Sequence, residues 1–206
     1  MDKISKDTIR VYDLIADKYN KEFFNDFSNH EMVDKFLLLL PKKAKILDIG
    51  CGPGGFVKYA IEKGFDARGI DLSENMISIA KQRVPSAQFS IMDMEKMTFP
   101  DNSFDAIFCT YTVIHTPASK IKAVLSEFNR VLKQKGIMYL VVFKGQGESY
   151  IDEPLMKGQK IFTKYFSQPE IKDLLKQTNF SIIEITEKFE GGDMGAEELY
   201  VMAQKN

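Results

Sequence analysis

"KAKILDIGCGPGGF", residues 43 to 56, decides the fold. Ile46, Leu47 and Ile49 read as a buried strand, and that strand carries a carboxylate, Asp48, just before it ends. Gly50, Gly52, Gly54 and Gly55 follow within six positions. Glycine adopts left-handed backbone cheaply and lets the main chain approach a ligand with no Cβ in the way. The helix "FVKYAIEKG" comes next, closed by Gly64. A strand, a glycine loop and a helix in that order form the first βα unit of an open parallel sheet, whose ligand lies at the carboxyl ends of the strands. Gly50, Gly52 and Gly55 also satisfy the dinucleotide pattern G-x-G-x-x-G, so the loop alone leaves a nicotinamide cofactor open.

Downstream, "DARGID" is a second strand ending at Asp71, about twenty positions past Gly50, the spacing at which a carboxylate meets ribose hydroxyls. Ser73 caps the helix "ENMISIAKQRV", and Pro85 stops it. "AQFSIMD" and "FDAIFCTY" are strands, "SKIKAVLSEFNRVLKQKG" (119–136) is a long amphipathic helix, and "IMYLVVF" is a strand buried on both faces. Strands alternating with helices from 44 to 143 predict an α/β, doubly wound parallel sheet.

Upstream, "IRVYDLIADKYNKEF" (9–23) sets Ile9, Tyr12, Ile15, Ala16 and Tyr19 at helical spacing, and "MVDKFLLLL" is a second helix stopped by Pro41. Residues 145–162 show no period and read as an excursion or lid. "SQPE" (167–170) is a capping box, and "FSIIEITEKF" and "ELYVMAQ" pair as an antiparallel hairpin across "EGGDMGA". The expected organisation is one domain, 1–206, with N-terminal helices (about 6–40) and a lid (about 145–166) over the active site.

Composition narrows the function classes. With 44% hydrophobic and 28% charged residues the chain is an ordinary globular one. A formal charge of −1 and no basic run beyond Lys42-Lys43 disfavour nucleic acid as a partner. Two cysteines, Cys51 and Cys109, make no disulfide framework and sit in no metal-ligand spacing. "MDKISKDTIR" lacks a signal-peptide core, and "FLLLL" is too short to insert in a membrane, so a cytoplasmic protein, monomer or homodimer, is expected.

Asp48 separates the cofactor classes. A pyrophosphate seeks backbone N–H groups and a helix N-terminus, and a carboxylate beside them repels it. A ligand with an ammonium or sulfonium group is attracted instead, and S-adenosyl-L-methionine carries both at one end and adenosine at the other. The motifs "ILDIGCGPGGF", "GIDLSENMISIAK", "MDMEKMTFPDNSFDAIFC" and "LSEFNRVLKQKG" resemble, in order, those of class I S-adenosylmethionine-dependent methyltransferases, in the small-molecule branch that includes ubiquinone-biosynthesis-like enzymes. The likeness covers residues 9 to 143 most strongly. It implies a Rossmann-like seven-stranded sheet, order 3-2-1-4-5-7-6 with strand 7 antiparallel, and methyl transfer to a small-molecule acceptor. It further implies that Asp48 and the Gly50, Cys51, Gly52 and Gly54 backbone hold the methionine moiety. Asp71 would take the ribose, Leu72 and Met76 would flank the adenine, and Asp93 and the Met94 N–H would bond its edge. Thr110 and Tyr111 would lie along the methionine end, and Tyr19, or second Tyr12, would close over the cofactor.

His115 in "TVIHTP" is the candidate base, although a second histidine common beside it in relatives is Thr116 here; His30 reads as a surface residue. Tyr150, Phe162, Tyr165 and Phe166 in the lid suggest an apolar or planar acceptor. A cofactor-binding protein without transferase activity and an NAD(P) oxidoreductase are the alternatives.

Overall fold

The structure is a computed structural model that describes residues 2–26, 30–189 and 197–206, with the side chains of His30 and Phe189 left aside. The loop "EGGDMGA" and the His30 side chain therefore lie outside the described residues. The first element, α1 (Lys3–Phe23), starts earlier than its apolar spacing predicts. Asp2 caps it, accepting from the Ser5 N–H at 2.8 Å, so the polar stretch before Ile9 is already helical. Helix α2 (His30–Leu38) follows, and then the alternation begins: β1 (Lys45–Ile49), α3 (Gly55–Glu62), β2 (Asp66–Asp71), α4 (Glu74–Arg83), β3 (Gln88–Ile91) and β4 (Phe104–Thr110).

Helix α5 (Ala118–Val131) is shorter than the predicted 119–136, and β5 (Leu132–Phe143) starts earlier. Leu132 pairs with Phe104, the register then shifts, and Ile137 pairs with Ala106. The turn of chain between them runs through Lys135 at φ 62°, a left-handed conformation that no helix continues. Amphipathic spacing runs through residue 136 because Leu132 is buried in either structure, so periodicity could not see this boundary.

Residues 145–166, predicted as a lid without regular period over 145–162, contain an antiparallel hairpin of β6 (Glu148–Asp152) and β7 (Lys160–Lys164). Helix α6 (Gln168–Gln177) is capped by Ser167, whose Oγ accepts from the Glu170 N–H at 3.3 Å. The Glu170 carboxylate pairs with Lys164 Nζ at 2.7 Å, so the predicted box keeps its Ser167 half and spends its other half on holding the hairpin. β8 (Phe180–Phe189) and β9 (Glu197–Lys205) complete the chain as an antiparallel pair.

The main sheet has the order β3-β2-β1-β4-β5-β9-β8. Only β9 runs against the rest, pairing antiparallel with both β5 and β8. With the extra hairpin left out of the count, this is the expected 3-2-1-4-5-7-6 with strand 7 reversed. Apolar layers cover both faces: Leu47, Ile107 and Leu140 pack with α5 and α6 residues such as Leu125, Phe128 and Ile171, while Ile46, Phe108 and Tyr139 pack with Phe36 of α2 and Val57 of α3. Strands β1 and β4 are parallel neighbours from which the strand order grows in opposite directions, so their carboxyl ends define the switch point. Among the described residues no helix is long and apolar enough to cross a membrane.

Candidate active site

The loop after β1 is built by hydrogen bonds to its own neighbours. The Gly50 and Cys51 N–H groups both donate to the Ile70 carbonyl, at 2.8 and 3.0 Å, which ties the loop to the end of β2. Gly50 has φ 71°, and a Cβ there would fall 2.0 Å from Thr112 Oγ1. That hydroxyl lies 3.1 Å from the Ile49 carbonyl oxygen and 3.0 Å from that of Thr110, so the Gly50 position has no room for a side chain. Asp71 accepts from the Gly52 N–H at 2.9 Å and from the Ser73 N–H at 2.9 Å, one on each carboxylate oxygen. Both oxygens keep lone pairs for further donors.

Two cavities meet over this loop. The smaller, of about 120 Å³, is lined by Asp71, Leu72, Met76, Asp93 and Met94, which form a slot with acidic ends and apolar walls. The larger, of about 400 Å³, is of ordinary small-molecule size and is lined by Asp48, Cys51, Phe56, Phe108, Tyr139 and Tyr200 among others. Tyr12, Tyr19, Gly50, Gly52, Thr110 and His115 line both, so they mark the junction. Helix α1 is held over it by Asp13, which accepts from Ser73 Oγ at 2.5 Å and from the Asn75 N–H at 3.2 Å.

Asp48 is 4% exposed and no salt bridge reaches it among the described residues. Burial, with the Asp71 charge adding to it, pushes its carboxyl well above the usual carboxylate range. Burial also raises Asp71, with its backbone donors working against that rise. The Cys51 thiol is pushed up by burial and by both carboxylates, so it is a packed thiol rather than a thiolate nucleophile. His115 Nδ1 lies 2.7 Å from the Phe162 carbonyl oxygen and its Nε2 lies 2.8 Å from the Tyr12 hydroxyl. A carbonyl only accepts, so Nδ1 carries the proton and Tyr12 donates to Nε2. Burial lowers the imidazole to about 4, against a small opposing effect of the Phe162 carbonyl.

Most of the residues singled out in the sequence converge here. Gly54 lines neither cavity: it caps α3 at φ 87°, and its missing Cβ leaves room for the Phe89 ring 2.8 Å away. The four lid aromatics also fail to line either cavity. Strand alternation explains two of them, since Ile161 and Thr163 face the larger cavity and Phe162, between them, packs on Tyr150 with ring centroids 5.7 Å apart; Tyr165 and Phe166 follow β7, and Phe166 is buried in the core. The aromatic wall comes from Phe56, Phe108, Tyr111, Phe143 and Tyr200 instead. Thr112, Glu153, Thr163 and Glu198 were not anticipated. Glu198 had a signal, an acid directly before the apolar run "LYVMA" (199–203) and on the same strand face as Tyr200; Glu153 and Thr163 had none.

The comparisons with known proteins agree with this architecture. Residues 46–136 match the methyltransferase-domain family model. The chain is 43% identical over 105 residues to the putative methyltransferase YqeM of Bacillus subtilis, across 48% of this chain and 42% of that protein. It is 32% identical over 174 residues to the uncharacterized protein MJ0638 of Methanocaldococcus jannaschii, covering 77% of this chain and 72% of that one. A Burkholderia thailandensis 1,6-didemethyltoxoflavin-N1-methyltransferase, solved with 1,6-didemethyltoxoflavin and S-adenosylhomocysteine, shares the fold at TM-score 0.79 and 16% identity, covering 98% of this chain and 88% of that one. The chain belongs to the class I S-adenosylmethionine-dependent methyltransferase family. It spans less than half the length of the first curated relatives it matches.

Proposed function

We propose that this chain transfers a methyl group from S-adenosylmethionine to a small-molecule acceptor. Asp48 carries the reading. A buried carboxylate without a cation costs several kcal/mol, and a ligand ammonium or sulfonium placed in the larger cavity offsets that cost. A pyrophosphate would add to it, which opposes the dinucleotide reading of the same glycines.

The lining of the two cavities fits the rest of this ligand. Asp71 takes the ribose diol through the lone pairs its backbone donors leave. The slot of Leu72, Met76 and Met94 takes adenine, with the second oxygen of Asp93 on its amino group; the first accepts from the Glu95 N–H at 2.8 Å. The Gly50, Cys51 and Gly52 backbone and Thr110 hold the methionine end, and Tyr12 and Tyr19 on α1 cover the junction. Thr8 Oγ1, buried beside the smaller cavity with no partner among the described residues, is a further donor for the adenosine half.

The cofactor supplies an already activated methyl group, so the protein's task is alignment and exclusion of water. Tyr12 spends its proton on His115, which leaves its oxygen as an acceptor for an acceptor's X–H at the junction. Proton removal thus runs toward a Tyr12–His115 pair rather than to a bare imidazole. Two buried free cysteines suit a reducing compartment, and the reading extends to a cytoplasmic monomer or homodimer.

The test is transfer of label from methyl-labelled S-adenosylmethionine to a panel of small acceptors, run with Asp71→Ala beside the parent protein. The variant is expected to bind S-adenosylhomocysteine about 1–3 kcal/mol more weakly, the loss of charge-assisted hydrogen bonds to a ribose. Unchanged affinity would remove Asp71 from the site.

A further inference from the structure

We infer that the acceptor is a cationic amine with an apolar body, carrying no phosphate or carboxylate; this rests on the methyltransferase reading above. The charge of the larger cavity points to it. Glu153 and Glu198 line it at 8% and 7% exposure, in addition to Asp48 and the exposed Asp26, and no lysine or arginine is among its described lining residues. S-adenosylmethionine brings an ammonium, a sulfonium and a carboxylate, a net charge of +1, which offsets Asp48 and leaves Asp26 at the exposed side and the two buried glutamates. An acceptor anion would face both of them with no cation to meet it.

The two glutamates are held in different ways. Glu198 Oε1 accepts from the Tyr111 hydroxyl at 2.8 Å and its Oε2 accepts from the Tyr200 hydroxyl, so the phenols fix it and also present ring faces. Glu153 is met by the Leu155 N–H at 3.0 Å on one oxygen only. The nearby Lys18 turns its Nζ to the Leu155 carbonyl, 2.9 Å away, and lines neither cavity. Lys188 lies over the Tyr200 ring at 5.4 Å and also stays outside the lining.

An independent sign of a ligand is Thr163. Its Oγ1 is buried without a partner among the described residues, the residue is 1% exposed, and it lines this cavity from β7. A hydroxyl there can accept from an ammonium N–H. The Phe143, Tyr111 and Tyr200 rings supply the apolar and cation–π surface on which amines are held. In the reaction the ammonium first gives a proton to the Tyr12 oxygen as Tyr12 passes its own proton to His115 Nε2, 2.8 Å away. The nitrogen lone pair then forms the N–CH3 bond while the electrons of the S–CH3 bond stay on sulfur.

The test is calorimetry with saturating S-adenosylhomocysteine, comparing phenethylamine and tryptamine with phenethyl alcohol and with 3-phenylpropionate and indole-3-propionate. Each amine is expected to bind at least tenfold more tightly than its carboxylate counterpart, and phenethylamine more tightly than the alcohol. Glu153→Gln, on the hairpin connection, should reduce that preference at least fivefold while S-adenosylhomocysteine affinity stays within twofold, which also shows the variant folded. Amines that bind no better than the alcohol, or not at all, in protein that binds S-adenosylhomocysteine would overturn the inference. Absence of S-adenosylhomocysteine binding would instead bring down the reading on which it rests.

Discussion

At the scale of single residues, Asp48 carries a conflict between stability and binding. It lies in a strand whose Ile46, Leu47 and Ile49 are core, and no salt bridge reaches it among the described residues. A carboxyl raised by burial leaves the folded state holding more protons than the unfolded state above the ordinary carboxylate value. Stability from this group is therefore present at low pH and lost as pH rises from that value through the raised one. Asp48→Asn should be more stable than the parent near neutral pH and should lose much of that slope, yet bind S-adenosylhomocysteine at least tenfold more weakly. Urea denaturation across pH, with a binding titration of each protein, checks both. A variant that is less stable and binds equally well would make Asp48 a structural acid.

At the scale of elements, the site is closed by two covers that meet on one side chain. His115, in a short 3-10 turn after β4, joins Tyr12 of α1 and the Phe162 carbonyl of β7 through its two ring nitrogens. His115→Ala removes both links at once. It is expected to lower turnover by less than about a hundredfold, below the usual loss of a general base, and to speed release of S-adenosylhomocysteine several-fold. With the imidazole pushed down to about 4, the acid limb of turnover should lie near 4 and not near 6.5. A loss above a thousandfold with unchanged release, and a limb near 6.5, would make His115 the base itself.

The same elements show what the sequence could disclose. Asp48, Asp71, Asp93 and the glycine loop were legible because strand ends and βα turns are marked by local residue types. The Tyr12–His115 contact spans 103 positions and the Tyr111–Glu198 contact spans 87, and no local pattern encodes either. The lid aromatics were misread because irregular spacing hid a hairpin, and in a hairpin the alternate residue faces the ligand. Gly54 was grouped with its neighbours in the loop, although its backbone angle and the Phe89 ring account for it without a ligand.

At the scale of the whole molecule, a parallel sheet with one reversed strand puts the β1 loop, the β2 acid and the β4 turn on one edge. Helix α1 and the hairpin then roof that edge with side chains from segments that precede β1 and follow β5. Every charge this assembly turns into the larger cavity from the described residues is negative, and every apolar wall is aromatic or aliphatic. The pocket is thus built for an adenosyl ligand that carries an ammonium, and against a pyrophosphate. Calorimetric titration of one preparation with S-adenosylhomocysteine and with NAD tests it most directly. Micromolar binding of S-adenosylhomocysteine and no detectable heat with NAD is the expected result; NAD binding as tightly as S-adenosylhomocysteine, or more tightly, would contradict it.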